Sequence, residues 1–340
     1  MKKVISVLLA VLAAIGITTG LVKNIVARSD LSVVYVDVGQ GDCQIAMCDG
    51  QTMLIDGGTA DKGRTVVAVL GKLGISYLDY VVCTHAHADH CGGLAGVLSV
   101  YDAGMVLSTE AEEDTEAYSD FKSALKSRGL EPTIVKPGDK YALGKSVVEV
   151  LGPIEIKSDD LNNTSIVLKI TNGDNSFLFT GDAEYEEEKE IMSTNVDLTA
   201  DVLKVGHHGS SGSSSYSFLR EVMPTYAIIG VGKDNSYGHP HTEAMSRLRD
   251  VGAHVFRTDM QGDITVVSDG KNITVTTGKN HNGNTNNTEK TEVSYIGNIN
   301  SKKLHRLTCQ GLPEEHNRRY FSSKSEAIGE GYKTCASCKP

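Results

Sequence analysis

Positive charge is what this sequence has least to spare. Its 33 lysines and arginines face 43 aspartates and glutamates, a formal net charge of −10 over 340 residues. A chain so balanced does not coat nucleic acid by bulk electrostatics. A metal-dependent enzyme that cuts nucleic acid stays open to it, because bound cations supply positive charge locally. Long apolar runs are as scarce: after Val22 nothing approaches the roughly 20 residues needed to cross a bilayer, so this chain does not carry the many spans of a membrane channel. The low hydrophobicity that marks general disorder is also missing, since 40% hydrophobic content is ordinary for a packed core. The length leaves room for one large domain and a small one.

The single apolar run is at the start, MKKVISVLLAVLAAIGITTGLVK. Its 19 uncharged residues from Val4 to Val22 exceed the usual 7–15-residue core of a cleaved signal, about long enough to span a bilayer. Residues 1–29 are therefore expected to be a signal peptide or an N-terminal membrane anchor. An uncleaved anchor with Lys2 and Lys3 inside is preferred, with cleavage after Ala27 as the alternative. Either way the bulk of the chain is expected outside the cytoplasm, membrane-anchored or secreted. No cysteine follows the run, which excludes a lipoprotein signal.

Seven cysteines in an exported chain would suggest a disulfide framework. Their spacing argues against one in the large domain. Cys43 and Cys48 lie at odd separation on one expected strand, so they point to opposite faces. Cys83 and Cys91 read as small buried residues.

What the chain does have is concentrated in Leu78 to Gly93, LDYVVCTHAHADHCGG. A short apolar β-run stops at four metal-binding side chains, His85, His87, Asp89 and His90. A loop leaving a buried strand end can turn alternate side chains the same way, so His85 and His87 can hold one cation, Asp89 and His90 a second. Imidazole and carboxylate are the ligands of catalytic zinc, and of manganese or iron when oxygen ligands are added. Gly92 and Gly93 are expected to allow tight turning as a helix begins.

Around this loop the pattern alternates. Leu31 to Val38 and Cys43 to Met47 read as strands, and a third follows the Asp49-Gly50 turn. Arg64 to Leu73 has helical spacing, and Glu110 to Gly129 reads as an acidic helical surface with a glycine stop. Further strands fall near Ser146–Leu151, Ser165–Ile170, Phe177–Thr180, Asp201–Val205 and Tyr226–Val231, with a last pair at His254–Arg257 and Ile264–Val267. Two strand-rich halves with helices between them imply an α/β fold, two sheets face to face with helices outside. Residues 279–293, polar and rich in Asn, Thr and Gly, read as a flexible linker between a domain at 30–278 and a module at 294–340.

THAHADHCGG resembles the HxHxDH motif of the metallo-β-lactamase-fold hydrolases. DVGQGD (Asp37 to Asp42), LIDGG (Leu54 to Gly58), LFTGD (Leu178 to Asp182), LKVGHHGS (Leu203 to Ser210) and YGHPH (Tyr237 to His241) follow in order. Together they are similar to the extracytoplasmic hydrolase domain of ComEC-type competence proteins, from about Leu31 to Gly270. The resemblance implies the four-layer αββα sandwich, two divalent cations (zinc or manganese) and no nucleotide cofactor. A lone Gly-Asp after a strand is usually a turn; with the family pattern Asp182 becomes a bridging ligand for cations about 3.5–4 Å apart. Either His207 or His208 should complete the second cation's set. His207, which continues the face of Leu203 and Val205, is preferred as ligand, leaving His208 as general acid or support. His239 is a candidate proton donor or extra ligand and Asp89 is expected to be required for turnover, while His241 caps or packs. Asp37 and Asp56 could orient metal-ligating histidines. No histidine lies between His90 and His207, so the third histidine of true β-lactamases is missing, and Asn162 or Asn163 occupies that region.

In residues 294–340, His305 and Cys309 precede Cys335 and Cys338, two short-spaced pairs of the kind that hold a structural zinc. Tyr295 to Pro340 resembles the zinc-binding domain of Ada-type DNA repair proteins, with His305 where that family has its methyl-accepting cysteine. Eight basic and four acidic residues give this module a net +4, leaving −14 for the rest of the chain, a basic appendage suited to phosphate contact. The expected function is an extracytoplasmic two-metal phosphodiesterase acting on DNA, a nuclease. The alternatives are hydrolysis of another phosphoester, such as phosphocholine on wall polymers, or of a lactone, and a DNA-binding surface protein with a residual hydrolase domain.

Overall fold

Asp49 and Gly50 both take left-handed backbone angles, φ 48° and 83°, which is what a two-residue hairpin turn needs to match the twist of its strands. They fold the start of the chain into a meander. The structure, a computed structural model, describes residues 30–156, 160–279, 295–307, 309–314, 317–321, 324–336 and 338. The expected signal or anchor at 1–29 and the expected linker beyond Lys279 lie outside these. Among the described residues no helix is long and apolar enough to cross a membrane.

The first half runs β1 (Leu31–Tyr35), β2 (Gln44–Cys48), β3 (Gln51–Ile55), α1 (Gly63–Leu73), β4 (Leu78–Val82), α2 (Ala88–Leu98), β5 (Ala103–Ser108), α3 (Glu116–Arg128) and β6 (Pro132–Ile134). The second runs β7 (Lys140–Leu143), β8 (Ser146–Gly152), β9 (Val167–Asn172), β10 (Asn175–Phe179), α4 (Tyr185–Ser193), β11 (Val202–Lys204), α5 (Tyr216–Val222) and β12 (Tyr226–Ile229). It closes with α6 (Thr242–Asp250), β13 (His254–Arg257), α7 (Thr258–Gln261), β14 (Ile264–Ser268) and β15 (Ile273–Thr277). Eight strands form one sheet in the order β15-β14-β1-β2-β3-β4-β5-β6, and seven the other, β13-β12-β11-β10-β9-β8-β7. Each sheet starts antiparallel and turns parallel, from β3 to β6 in one and from β10 to β13 in the other.

Three apolar layers follow from strand alternation. Val33, Tyr35, Ile55, Phe177 and Phe179 fill the space between the sheets. Val34, Leu54 and Val81 face the other way, against α1, α2 and α3, while Leu178, Leu203 and Ala227 pack under α4, α5 and α6. Each such large side chain contributes roughly 1.5–3 kcal/mol by burial. These layers are the expected αββα sandwich. Cys43 and Cys48 do lie on opposite faces, and the cysteines are free thiols. His254–Arg257 and Ile264–Val267 are not a pair: β13 joins β12 in parallel, whereas α7 carries the chain to the other sheet, where β14 joins β1. Gly92 and Gly93 serve close approach, since a Cβ on Gly93 would sit 2.0 Å from the Gly57 carbonyl.

A four-stranded sheet follows, built from β16 (Tyr295–Asn298), β17 (Lys303–Arg306), β18 (Arg318–Phe321) and, after α8 (Lys324–Gly329), β19 (Lys333–Thr334). Leu304, Phe321, Ala327 and Tyr332 form its small core.

The two large sheets are tied together by charge as well as apolar contact. Lys204, at the end of β11, meets Asp42, in the turn between β1 and β2, at 2.5 Å, and both are 1% exposed. Removing one partner leaves the other charge buried and unpaired, typically a loss of about 3–5 kcal/mol. Lys204→Met should lower the urea-unfolding free energy by an amount in that range, and a loss within ~1 kcal/mol would mean that the sheets do not rely on this pair.

Candidate metal centre

Parallel strands from both sheets end in one crevice, the place where open α/β sheets hold ligands. Asp56 follows β3, the stretch from Thr84 to His90 follows β4, Asp182 follows β10, His207 and His208 follow β11, and His239 lies in the loop after β12. Because β3 and β4 run parallel in register, Asp56 lies beside Thr84 and accepts from its backbone N–H at 2.9 Å and its hydroxyl at 2.7 Å. It also takes His90 Nδ1 at 2.8 Å, which leaves His90 Nε2 facing Asp182 Oδ2 at 3.2 Å. His85 Nε2 and His87 Nδ1 stand 3.0 Å apart.

His208 is the histidine that enters the cluster. Its Nδ1 donates to the Gly230 carbonyl at 2.9 Å, and its Nε2 lies 3.2 Å from Asp89 Oδ2 and 3.5 Å from Asp182 Oδ2. His207 turns outward, its Nδ1 on Glu184 Oε1 at 2.7 Å and its Nε2 3.7 Å from Asp182. This corrects the preference for His207. The strand ends at Lys204, and His207 and His208 take left-handed φ of 45° and 53°, so the alternation of Leu203 and Val205 does not continue into them.

Among the described residues Asp37 orients no histidine. Its carboxylate faces Lys279 Nζ at 3.2 Å and the Gly39 N–H at 3.4 Å. The residue near His208 Nδ1 is Asp42, at 3.4 Å; it closes the same DVGQGD stretch, and Lys204 inside an apolar strand was the unread signal for it. Glu184, which holds His207, was likewise not anticipated. His241 Nδ1 accepts from the Ser211 N–H at 2.9 Å, a packing role as expected. Asn163 is engaged by the N–H groups of Glu184 and Glu187, whereas Asn162 lines the cavity with its Oδ1 buried and without a hydrogen-bond partner.

The donor set fits divalent cations. The ligand atoms of His85, His90 and Asp182, and those of Asp89, His90 and His208, lie within 4.8 Å of one another in each group. Asp182 Oδ1 is buried with no hydrogen-bond partner, and His90 Nε2 and His208 Nε2, though each 3.2 Å from a carboxylate oxygen, make no well-directed hydrogen bond, an arrangement proteins rarely leave without a reason. Burial opposes charge on His208, yet Asp182, Asp42 and Asp89 push its pKa up to about 10. Asp89, despite burial, is held well below the carboxylate range by His208 and His90. The site therefore demands positive charge. His239 goes the other way: burial and then His207 and His208 press it down to about 4, which favours the neutral imidazole.

In the small module His305 Nδ1 lies 3.2 Å from Cys309 Sγ, and the ligand atoms of His305, Cys309, Cys335 and Cys338 fall within 4.8 Å of one another. Cys338 Sγ accepts from the Arg306 N–H at 3.4 Å. One nitrogen and three sulfurs in this grouping fit a tetrahedral zinc.

Residues 41–233 match the family model of the metallo-beta-lactamase superfamily. ComE operon protein 3 of Bacillus subtilis (strain 168) is 31% identical over 254 residues, 69% of this chain and 33% of that protein. Competence protein ComA of Neisseria gonorrhoeae is 30% identical over 239 residues, with 70% and 32% covered, and Recombination protein 2 of Haemophilus influenzae is 30% identical over 236 residues, with 68% and 28% covered. The chain spans about a third of the length of these curated relatives. The matched span runs from the turn before β2 to the end of β12 and so contains His85, His87, Asp89, His90, Asp182 and His208: the chain belongs to the metallo-beta-lactamase superfamily and to its metal-dependent hydrolases.

Proposed function

We propose that the chain is a two-metal phosphodiesterase that cuts DNA outside the cytoplasm. The observation that carries the chemistry is the convergence of buried His90 Nε2, His208 Nε2 and Asp182 Oδ1, none of them in a well-directed hydrogen bond, on one cluster. The substrate is supported by the relatives, one named for competence and one for recombination. Location is supported by Lys2, Lys3 and the apolar run that follows.

In this reading His85, His87 and Asp182 hold one cation, and Asp89, His90, His208 and Asp182 the other. Such cations, when bound, lower the pKa of a water and stabilise charge developing on phosphoryl oxygens. The chain's own part is orientation. Asp56 and the Gly230 carbonyl each take the Nδ1 of a histidine, which fixes the tautomer and aims Nε2 inward. Thr84 and Ser165 hydroxyls do the same for His85, at 3.1 and 3.3 Å from its Nδ1. Neutral His239 at the rim offers a hydrogen bond to a leaving oxygen. In the module His305, Cys309, Cys335 and Cys338 hold a structural zinc, and its basic surface helps retain DNA.

Metal content separates the two adjacent histidines: His208→Ala should lose about one equivalent of active-site metal per chain, and His207→Ala should keep its full complement. The reverse pattern would return the ligand role to His207. Activity is tested with the purified chain, manganese or zinc, single- and double-stranded DNA, and a generic phosphodiester reporter. Asp89→Ala should lose at least 100-fold in rate, in the range of a lost metal ligand's support, while keeping its circular dichroism. Reporter hydrolysis without DNA cutting would move the substrate to another phosphoester, and wild-type rates in Asp89→Ala would sink the assignment.

A further inference from the structure

The rim of the metal centre carries an aromatic ring that the chemistry above does not use. Tyr237 is 64% exposed, the largest exposure among the described large apolar side chains, and it lines the cavity of about 320 Å³ that holds Asp89, Asp182 and His208. One face of its ring stacks on His239, with centroids 5.6 Å apart and planes 21° apart. The loop beneath it is held at five points. Asn235 Oδ1 accepts the N–H groups of Tyr237 (3.2 Å) and His239 (3.0 Å), and its Nδ2 donates to the carbonyls of Gly232 (2.9 Å) and His239 (2.7 Å). His241 Nε2 donates to the Tyr237 carbonyl at 3.1 Å. An exposed aromatic on so constrained a loop is preorganised to receive a flat partner, because little freedom is left to lose on binding.

His239 is also the shared wall of a second, wider cavity of about 700 Å³, lined by Lys233, Arg257 and Lys279 with Asp234 and Asp259. Arg257 is bound to Asp259 at 3.0 and 2.6 Å and Lys279 to Asp37 at 3.2 Å, whereas Lys233, beside Asp234, is exposed along the same cavity. The metal-centre cavity, which Tyr237 lines, and the second cavity, which Lys233 lines, thus adjoin through His239.

We propose that Tyr237 stacks the unpaired base next to the phosphodiester at the metal centre, and that the strand continues past His239 toward Lys233. The substrate class is then a single-stranded polynucleotide, since in a duplex the faces of each base are covered by its neighbours. This rests on the phosphodiesterase reading and narrows it. Base–aromatic stacking corresponds to about 5- to 150-fold in affinity or kcat/KM per base.

The chain has no tryptophan, so Tyr237→Trp creates a single fluorescent reporter at the platform. In the full chain, with Asp89→Ala added to keep strands intact, oligothymidylate should quench it severalfold more than an abasic strand of equal length. Equal quenching by both strands, or none by either, overturns the platform. With Asp89 restored, Tyr237→Ala should cut oligothymidylate about 5- to 150-fold more slowly at kcat/KM, and its rate on the abasic strand should stay within about twofold of the unaltered chain's. If the unaltered chain cuts strands but the variant loses equally on both, only the platform falls. If the unaltered chain hydrolyses no strand at all, the phosphodiesterase reading falls and takes the platform with it.

Discussion

Carboxylates buried at strand ends set the terms for the rest of this molecule. Asp42, Asp56 and Asp182 are each no more than 2% exposed, and an isolated buried charge costs several kcal/mol. Each must therefore meet a donor or a cation. Asp42 meets the ammonium of Lys204, Asp56 meets Thr84 and His90, and Asp182 faces three imidazoles through one oxygen while its other oxygen has no partner. Only Lys204 brings permanent positive charge. The remaining compensation comes from imidazoles, which can exchange protons for metal, and this exchangeability is what turns an electrostatic burden into a binding site.

The topology explains why both sheets are needed. Each passes from antiparallel to parallel pairing, so each contributes several strands whose carboxyl ends open at the same edge. One sheet supplies His85, His87, Asp89 and His90 from a single loop, braced where the Asp42 N–H donates to the Asp89 carbonyl at 3.1 Å and the Gly57 N–H to the His90 carbonyl at 2.8 Å. The other supplies Asp182 and His208 from two successive strand ends. Neither set surrounds a cation alone, so the Asp42–Lys204 contact, which crosses from one sheet to the other beside His208, holds the two half-sites in register.

Much of this was legible in the sequence, and the exceptions have a common cause. The strand-loop pattern before His85, the Asp49-Gly50 turn and the paired spacing of the module's ligands are local signals, and local geometry honours them. The choice between His207 and His208 depended on extending strand alternation past the strand's last residue, where left-handed backbone reverses it. Asp37 and Asp42 close opposite ends of one hexapeptide, and only the approach of Lys204 from the other sheet selects the second. Gly92 and Gly93 read as turn-formers, but what demands them is the backbone of Gly57 to Ala60 pressed against α2. His254–Arg257 and Ile264–Val267 read as one closing pair because sequence proximity cannot reveal a chain that changes sheets. Apart from the local backbone reversal at His207 and His208, the missing information was a partner distant in sequence.

The small module is joined to the hydrolase by specific polar contacts. Arg318 Nη1 lies 2.8 Å from Asp250 Oδ1, the Tyr320 hydroxyl reaches the same oxygen at 3.4 Å, and Arg220 Nη2 donates to the Cys309 carbonyl at 3.0 Å. Asp250 is the last residue of α6, and the residue preceding that helix is His241, which holds the Tyr237 carbonyl. Between them Arg247 donates to the carbonyls of Ser211, Ser213 and Ser214, the loop that follows His208. One nine-residue helix is thus pinned by the module at one end and carries the wall of the catalytic cavity at the other. The module does more here than add basic residues: it meets the far end of the helix on which the Tyr237 loop and the serine loop depend.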